Sequence, residues 1–162
     1  MPDLKLQWDN DLGCCDLVFD EDTEDLVTDE GLQTAVLISL YTDNRALITD
    51  EVFNPLTPDR RGWWGNKVLP AVEGDEAGSK LWLLERAKTI GTYTENQAKS
   101  YIEKCLQWMI DDGIAQRIEV TVEKQGTTET KTLAMLIQIH KTDGTDTRMK
   151  FDNIWEAQLN AV

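Results

Sequence analysis

The sequence predicts an α+β fold: three main helices packed on an antiparallel sheet that ends in a C-terminal three-stranded meander. Three observations predict it. Apolar residues recur at helical spacing in segments that precede Gly113, the spacing changes to strict alternation after it, and turn signals cut the alternating stretch into three strands. With 162 residues, 41% of them apolar and 28% charged, the chain has the size and composition of one soluble domain spanning 1–162. A core of that size needs no metal or disulfide staple.

At the start, Leu4, Leu6 and Trp8 alternate with Lys5, Gln7 and Asp9, the period of a half-buried strand. Cys14–Phe19 reads as a second short strand after the turn signal Asn10-Asp11-Leu12-Gly13. The acidic run Asp20–Glu30 reads as an exposed loop, so residues 1–30 form an acidic N-terminal region of strands and loop. From Leu32 to Tyr41 the apolar residues predict a mostly buried helix, with Asp29 as its N-cap and Asp43-Asn44 at its end. Arg45–Gly78 holds every proline except Pro2. It is a long connection, and long ordered loops in compact domains tend to be functional.

Gly78-Ser79 opens a second helix, Lys80–Lys88, covered by Leu81, Trp82, Leu83 and Leu84. The third begins at Thr94, which pairs with Gln97 as a capping box. Ala98, Tyr101, Ile102, Cys105, Leu106, Met109 and Ile110 follow at helical spacing, and Gly113 is its C-terminal stop. In the meander Ile118, Val120 and Val122 lead to a turn at Gln125-Gly126. Leu133, Met135, Ile137 and Ile139 follow, then a hairpin at Asp143-Gly144 and Thr147, Met149 and Phe151. Asn153–Val162 is expected to close the chain as a short helix.

Charge is unevenly placed. Of the net −14, residues 1–44 carry twelve acids against the single base Lys5, while the rest carries eighteen acids against fifteen bases. A body without a net basic field predicts no direct nucleic-acid binding. The acids either keep the chain soluble or form a negative surface for a basic partner. No run approaches the ~18 apolar residues of a membrane span, and MPDLKLQWDNDLG lacks the features of a signal peptide. The expectation is therefore no membrane and a cytoplasmic site of synthesis. Cys14, Cys15 and Cys105 have no C-x-x-C spacing and read as reduced packing residues.

Catalytic and metal chemistry fail their spacing tests. Asp20, Asp22 and Glu24 open like a calcium loop, but the sixth position is Asp25 rather than Gly and the twelfth is Gly31 rather than Glu. His140 is the single histidine and reads as a solvent-facing strand residue. It leaves no H-E-x-x-H site and no partnered nucleophile. Asp111-Asp112 reads as solvated surface at a helix end. The sequence thus predicts no enzyme, no cofactor and no metal.

Asp59-Arg60-Arg61-Gly62-Trp63-Trp64-Gly65-Asn66 stands apart. Two adjacent tryptophans lie between glycines on a loop, preceded by two arginines, and Trp and Arg are the residues most enriched at binding hot spots. Two readings stand open. The rings plug the protein's own core, or they dock a partner; one ring inward and one outward satisfies both.

DRRGWWGN, then GSKLWLLERAK at Gly78–Lys88, CLQWMIDDGIA at Cys105–Ala115 and GLQTAVLISLYTDNRA at Gly31–Ala46 together resemble the Mu-type phage baseplate family. That family is related to the T-even baseplate wedge protein that serves as sheath initiator. Asn66 stands where the family often has Asp, and Lys80 where it often has Arg, which removes a planar bidentate pair. The resemblance implies a structural protein of the contractile tail, assembled in the host cytoplasm and resident in the virion baseplate. Implied partners are other wedge proteins and the tail sheath, in a six-fold ring, and the implied contact residues are Arg60, Arg61, Gly62, Trp63, Trp64, Gly65, Lys80 and Trp82. A cytoplasmic regulatory adaptor and a baseplate-borne cell-wall hydrolase are the rival expectations.

Overall fold

Alternation beyond Gly113 becomes one antiparallel sheet. The structure, a computed structural model, describes residues 3–9, 12, 14–29, 32–50, 59–68, 76–84, 91–126 and 131–151. Strands β7 (Ala115–Gly126), β8 (Lys131–Lys141) and β9 (Asp146–Phe151) lie in the order β7-β8-β9. Their register sets Ile118 opposite Ile139, Val120 opposite Ile137 and Val122 opposite Met135. On the other side of β8, Ile137 meets Met149 and Met135 meets Phe151. A period of two puts all of these on one face, and Met135, Ile137 and Ile139 are buried in the core. The opposite face carries Arg117, Glu119, Gln138, His140 and Arg148 in matching register.

Gln125-Gly126, expected as a turn, are instead the last paired residues of β7, opposite Thr132 and Lys131. The connection falls at 127–130, outside the described residues. The Asp143-Gly144 hairpin forms as expected, with Gly144 at φ +84°. Asp143 Oδ1 accepts hydrogen bonds from the Thr145 hydroxyl and backbone N–H, which hold its carboxyl below the usual range. His140 lies on the polar face as expected, but its ring is half-buried, with Nδ1 2.8 Å from Asp146 Oδ1.

Among the described residues the helices are α1 (Gln33–Tyr41), α2 (Gly65–Val68), α3 (Thr92–Cys105) and α4 (Trp108–Asp111). Val36, Leu37 and Leu40 of α1, Ala98 and Ile102 of α3, Leu106 and Met109 share one core with the apolar face of the sheet. The single helix expected from Thr94 through Ile110 is broken at Leu106-Gln107 into α3 and α4; Gly113, at φ +72°, follows the end of α4, with Ile114 N–H donating to the Met109 carbonyl. Three further helix expectations need correction. Thr94 and Gln97 form no capping box: the helix starts two residues earlier, from an extended Gly91, and Gln97 Nε2 donates to Tyr93 Oη. Leu32, not Asp29, is the N-cap residue of α1, although Asp29 Oδ2 still accepts the Thr34 N–H at 3.0 Å. In place of a helix from Lys80, the described residues show a 3₁₀ turn, Leu81–Leu84, with 85–88 outside them. Fastening of Lys80 and Trp82 to the neighbouring loop, detailed below, favours that tight turn. The expected helix Asn153–Val162 also lies outside the described residues.

The acidic run is not a loop. Six short strands, β1 (Asp3–Leu4), β2 (Leu6–Asp9), β3 (Cys14–Leu17), β4 (Phe19–Asp20), β5 (Asp25–Leu26) and β6 (Thr28–Asp29), make three extended segments that pair in a pinwheel. β2 pairs with β3, β4 with β5 and β6 with β1, all antiparallel. At the hub Lys5 N–H donates to Val27 O, Val27 N–H to Val18 O, and Val18 N–H to Lys5 O, at 2.9, 2.9 and 3.2 Å. This ring of backbone bonds satisfies the groups left over where each segment changes partner, which no side-chain pattern announces. Thr34 pins the pinwheel to α1: its Oγ1 donates to the Leu4 carbonyl and accepts the Leu6 N–H.

Trp8 stacks on Tyr41 at 4.0 Å, and both meet Phe151 edge-on. Trp8 Nε1 and Tyr41 Oη are buried without a hydrogen-bond partner among the described residues. An unsatisfied buried hydroxyl costs about 1–3 kcal/mol, so Tyr41→Phe, which keeps the stack, is expected to raise stability by about 1 kcal/mol in urea unfolding. A lowered midpoint would mean that the hydroxyl finds a partner in solution. Burial also pushes the Cys105 thiol up to about 12 and raises the Tyr41 phenol. The unfolded chain therefore loses protons first, and stability is whole below about pH 9 and falls as pH rises toward 12, by at most about 1.4 kcal/mol per pH unit for each group. Cys105→Ala should flatten that fall in a pH series of urea midpoints.

Candidate functional site

The long connection folds into a fastened loop. The end of α1 meets the segment before the 3₁₀ turn through a parallel bridge, Asp43 with Ser79. Asn44 N–H donates to Ser79 O at 2.9 Å and Ser79 N–H to Thr42 O at 2.8 Å. Gly78 is required here: it sits at φ +107°, and a Cβ would lie 2.6 Å from the Thr42 carbonyl oxygen. Ala46 N–H donates to Arg60 O, and the Arg60 guanidinium returns a bond to the Leu47 carbonyl.

Asn66 closes the far side. Its Oδ1 accepts from Ala77 N–H and its Nδ2 donates to Ala77 O, both at 2.9 Å. The side-chain amide thereby copies a backbone pairing, which Asp could only half supply because a carboxylate cannot donate. Arg61 Nη1 lies 2.9 Å from Asp43 Oδ2, and its guanidinium sits 5.0 Å from the Trp82 ring centroid. Trp82 Nε1 donates to Asn44 O at 2.8 Å. Lys80 Nζ meets Asp50 Oδ2 at 2.7 Å. Burial opposes ionisation of Asp50, but the bonds from Lys80 and Leu47 N–H and the charges of Lys80 and Arg60 outweigh it and hold the carboxyl below its usual range.

Four of the sequence-selected residues, Arg60, Arg61, Lys80 and Trp82, thus make intramolecular bonds that hold the loop's shape. The tryptophans divide. Trp63 folds back over Gly65, whose added Cβ would fall 2.2 Å from the ring, while Trp64 projects with 66% of its surface exposed. Their centroids are 5.6 Å apart and the rings are tilted by 48°. Gly62, at φ +114°, supplies the bend before them. The core therefore contains neither ring of this pair.

Sequence reasoning missed Leu47, Ile48 and Val68, apolar residues exposed on the same connection and on α2. Leu47-Ile48 sits in a turn closed by Asp50, whose carboxylate accepts the Leu47 N–H. The signal was an apolar pair with no periodic partner. It also missed Asp43, Asp50 and Asn66 as supports, since polar residues in a loop carry no spacing signature. Among the described residues no group of His, Cys, Asp and Glu is arranged to hold a metal. The arrangement offers aromatic and aliphatic surface on a braced backbone, the chemistry of protein docking.

Gly65→Ala is expected to leave the protein folded but to lift the Trp63 ring, at a cost of about 1–3 kcal/mol. A shifted Trp63 indole resonance together with a lower urea midpoint would show it; an unchanged indole would mean that the ring does not rest on Gly65.

The fastened loop lies wholly within residues 32–146, which match the sequence model of the family described as phage protein GP46. The chain belongs to that family. Among phage protein GP46 relatives, Mu-like prophage FluMu protein gp46 of Haemophilus influenzae is 34% identical over 155 residues, covering 96% of this chain and 98% of its own. Baseplate protein gp46 of Escherichia phage Mu is 39% identical over 124 residues, 76% of this chain and 79% of its own. The GP46 match begins after the pinwheel, whereas the similarity to the Haemophilus protein takes in almost the whole chain.

Proposed function

We propose that this protein is a structural component of a phage contractile-tail baseplate. It joins wedge subunits, provides a platform on which the tail sheath assembles, and catalyses nothing. The observation that carries the reading is its 39% identity, over 76% of the chain, to a protein named as a phage Mu baseplate protein. Geometry supports it. Arg60, Arg61, Lys80, Trp82, Gly62 and Gly65 hold the loop in shape and Trp63 and Trp64 form its outer surface, so little conformational freedom is lost when a partner docks. β7 and β9 each have one unpaired edge among the described residues, and a free edge accepts a partner's strand through main-chain bonds. Copies set around a six-fold axis would turn modest contacts into a stable ring. Assembly takes place in the host cytoplasm and the product is the virion tail.

The test is co-expression with the tail proteins encoded beside it, followed by negative-stain imaging. Ring- or wedge-shaped particles containing the chain are expected. Failure to enter any such particle would overturn the reading, and so would sustained peptidoglycan release by the purified protein.

A further inference from the structure

The face of the β7-β8-β9 sheet turned away from the core carries a charge order that the loop-and-edge reading does not use. Register sets its side chains in rows across the three strands. One row is Arg117, His140 and Asp146, the next is Glu119, Gln138 and Arg148, and the third is Thr121, Leu136 and Lys150. In each of the first two rows the two ends bear opposite charge, and the sign reverses from one row to the next. Among the described residues of this face, Arg117, Arg148 and Lys150 balance Glu119, Glu123 and Asp146, so a neutral surface sits on a chain of net charge −14. At its centre Leu136 is half-buried and Ala134 only 5% exposed. Thr121, Glu123, Arg148 and Lys150 stand around these two and enclose a cavity of about 280 Å³.

We infer that this face pairs with the same face of a second copy, about a two-fold axis running along β8. Such an axis lays β7 of one copy over β9 of the other, and every contact occurs twice. Each row then meets itself reversed. Glu119 comes over Arg148 of the second copy and Arg117 over its Asp146, while Leu136 enters the cavity beside its Ala134. Sheets packed face to face lie about 10 Å apart, a gap that long arginine and glutamate side chains bridge from both sides. The sign order selects the occupant. A uniformly basic or uniformly acidic partner, nucleic acid included, meets repulsion at one end of each charged row. A second copy meets attraction at both ends. The charges are available for it: Arg117 Nη2 holds Oε1 of Glu119 at 2.9 Å and leaves Oε2 open, and Arg148 makes no ion pair among the described residues. Leu6 and Trp8 fasten the acidic pinwheel to the core side of the sheet, so it lies behind the sheet in each copy when the outward faces meet. The Trp64 loop and the strand edges take no part, and the inference therefore goes beyond the baseplate reading.

The test is sedimentation equilibrium of the purified full-length chain over a range of protein and salt concentrations. A dimer that dissociates as salt rises is expected. Glu119→Arg and Arg148→Glu each bring like charges together twice in the pair, and each should weaken dimerisation by about tenfold or more. Mixed in equal amounts, the two variants should form a heterodimer as stable as the wild-type dimer. One contact then joins the two new side chains and its symmetry mate joins the two original ones, and both are attractive. Misfolded chains could not rescue each other, so the mixture separates a lost contact from a lost fold. Trp64→Ala should leave the dimer unchanged. A chain that is monomeric at every concentration overturns the inference, and so does a dimer indifferent to both substitutions or a mixture of the two variants that stays monomeric.

Discussion

Ile137→Ala is expected to remove about 3–4 kcal/mol of stability, read as a large fall in the urea midpoint with an unchanged slope. Ile137 is 0% exposed at the middle of the central strand, with Val120 opposite on one side and Met149 on the other. Both neighbours are held in register by ladder hydrogen bonds, and the helices that cover the sheet pack through Ile102, Leu106 and Met109, which are also fully buried. None can move far enough to fill the space of the lost methyl groups, so a cavity term adds to the lost transfer energy. Ile137→Val, one methylene smaller, should cost about 1 kcal/mol. Ile48→Ala, at a site 91% exposed, should stay within about 0.5 kcal/mol of the wild type. A small effect at Ile137 would show that the sheet does not anchor the core.

Trp64→Ala is expected to lose about 2–4 kcal/mol of affinity for the proposed wedge partner while stability changes by no more than about 0.5 kcal/mol. The ring is 66% exposed and the loop beneath it is braced without its help. Binding of the co-expressed wedge protein and the urea midpoint, measured on the same preparation, check both halves. Trp63→Ala should separate them less cleanly, because its ring covers Gly65. Arg61→Ala should weaken binding indirectly, by releasing both Asp43 and the face of Trp82. If Trp64→Ala melts the protein as a core change does, the ring belongs to the fold and the docking role falls.

The meander was legible because each strand repeats every two residues and one face is buried, so a single register hides Val120, Met135, Ile137 and Met149 together. The boundaries of α3 were less so. Thr94 and Gln97 have the spacing of a capping box, yet Gly91 takes an extended conformation and lets the helix begin earlier, with the Thr94 side chain buried inside it. Asp20–Glu30 looked like a loop because acids dominate it and its two apolar residues, Leu26 and Val27, are adjacent and give no alternation. Its pairing depends on two other extended segments, and only the Asp20–Asp25 pair lies within the run itself.

At the proposed docking loop the residue types stood out in the sequence and their roles did not. Two arginines, two tryptophans and two glycines in one short run announced a surface of consequence. That Arg60 and Arg61 bond within the loop, that Lys80 belongs to Asp50, and that Trp64 is more exposed than Trp63 were settled by groups up to 30 residues away. Local periodicity determined the α+β class, the core face of the sheet and the stop at Gly113, since those follow from neighbours along the chain. The pinwheel's ring of hydrogen bonds, the bracing of the loop and the greater exposure of Trp64 were decided by the tertiary structure alone. Each is a contact between distant segments, and no spacing within a single segment encodes which of several available partners a donor will meet.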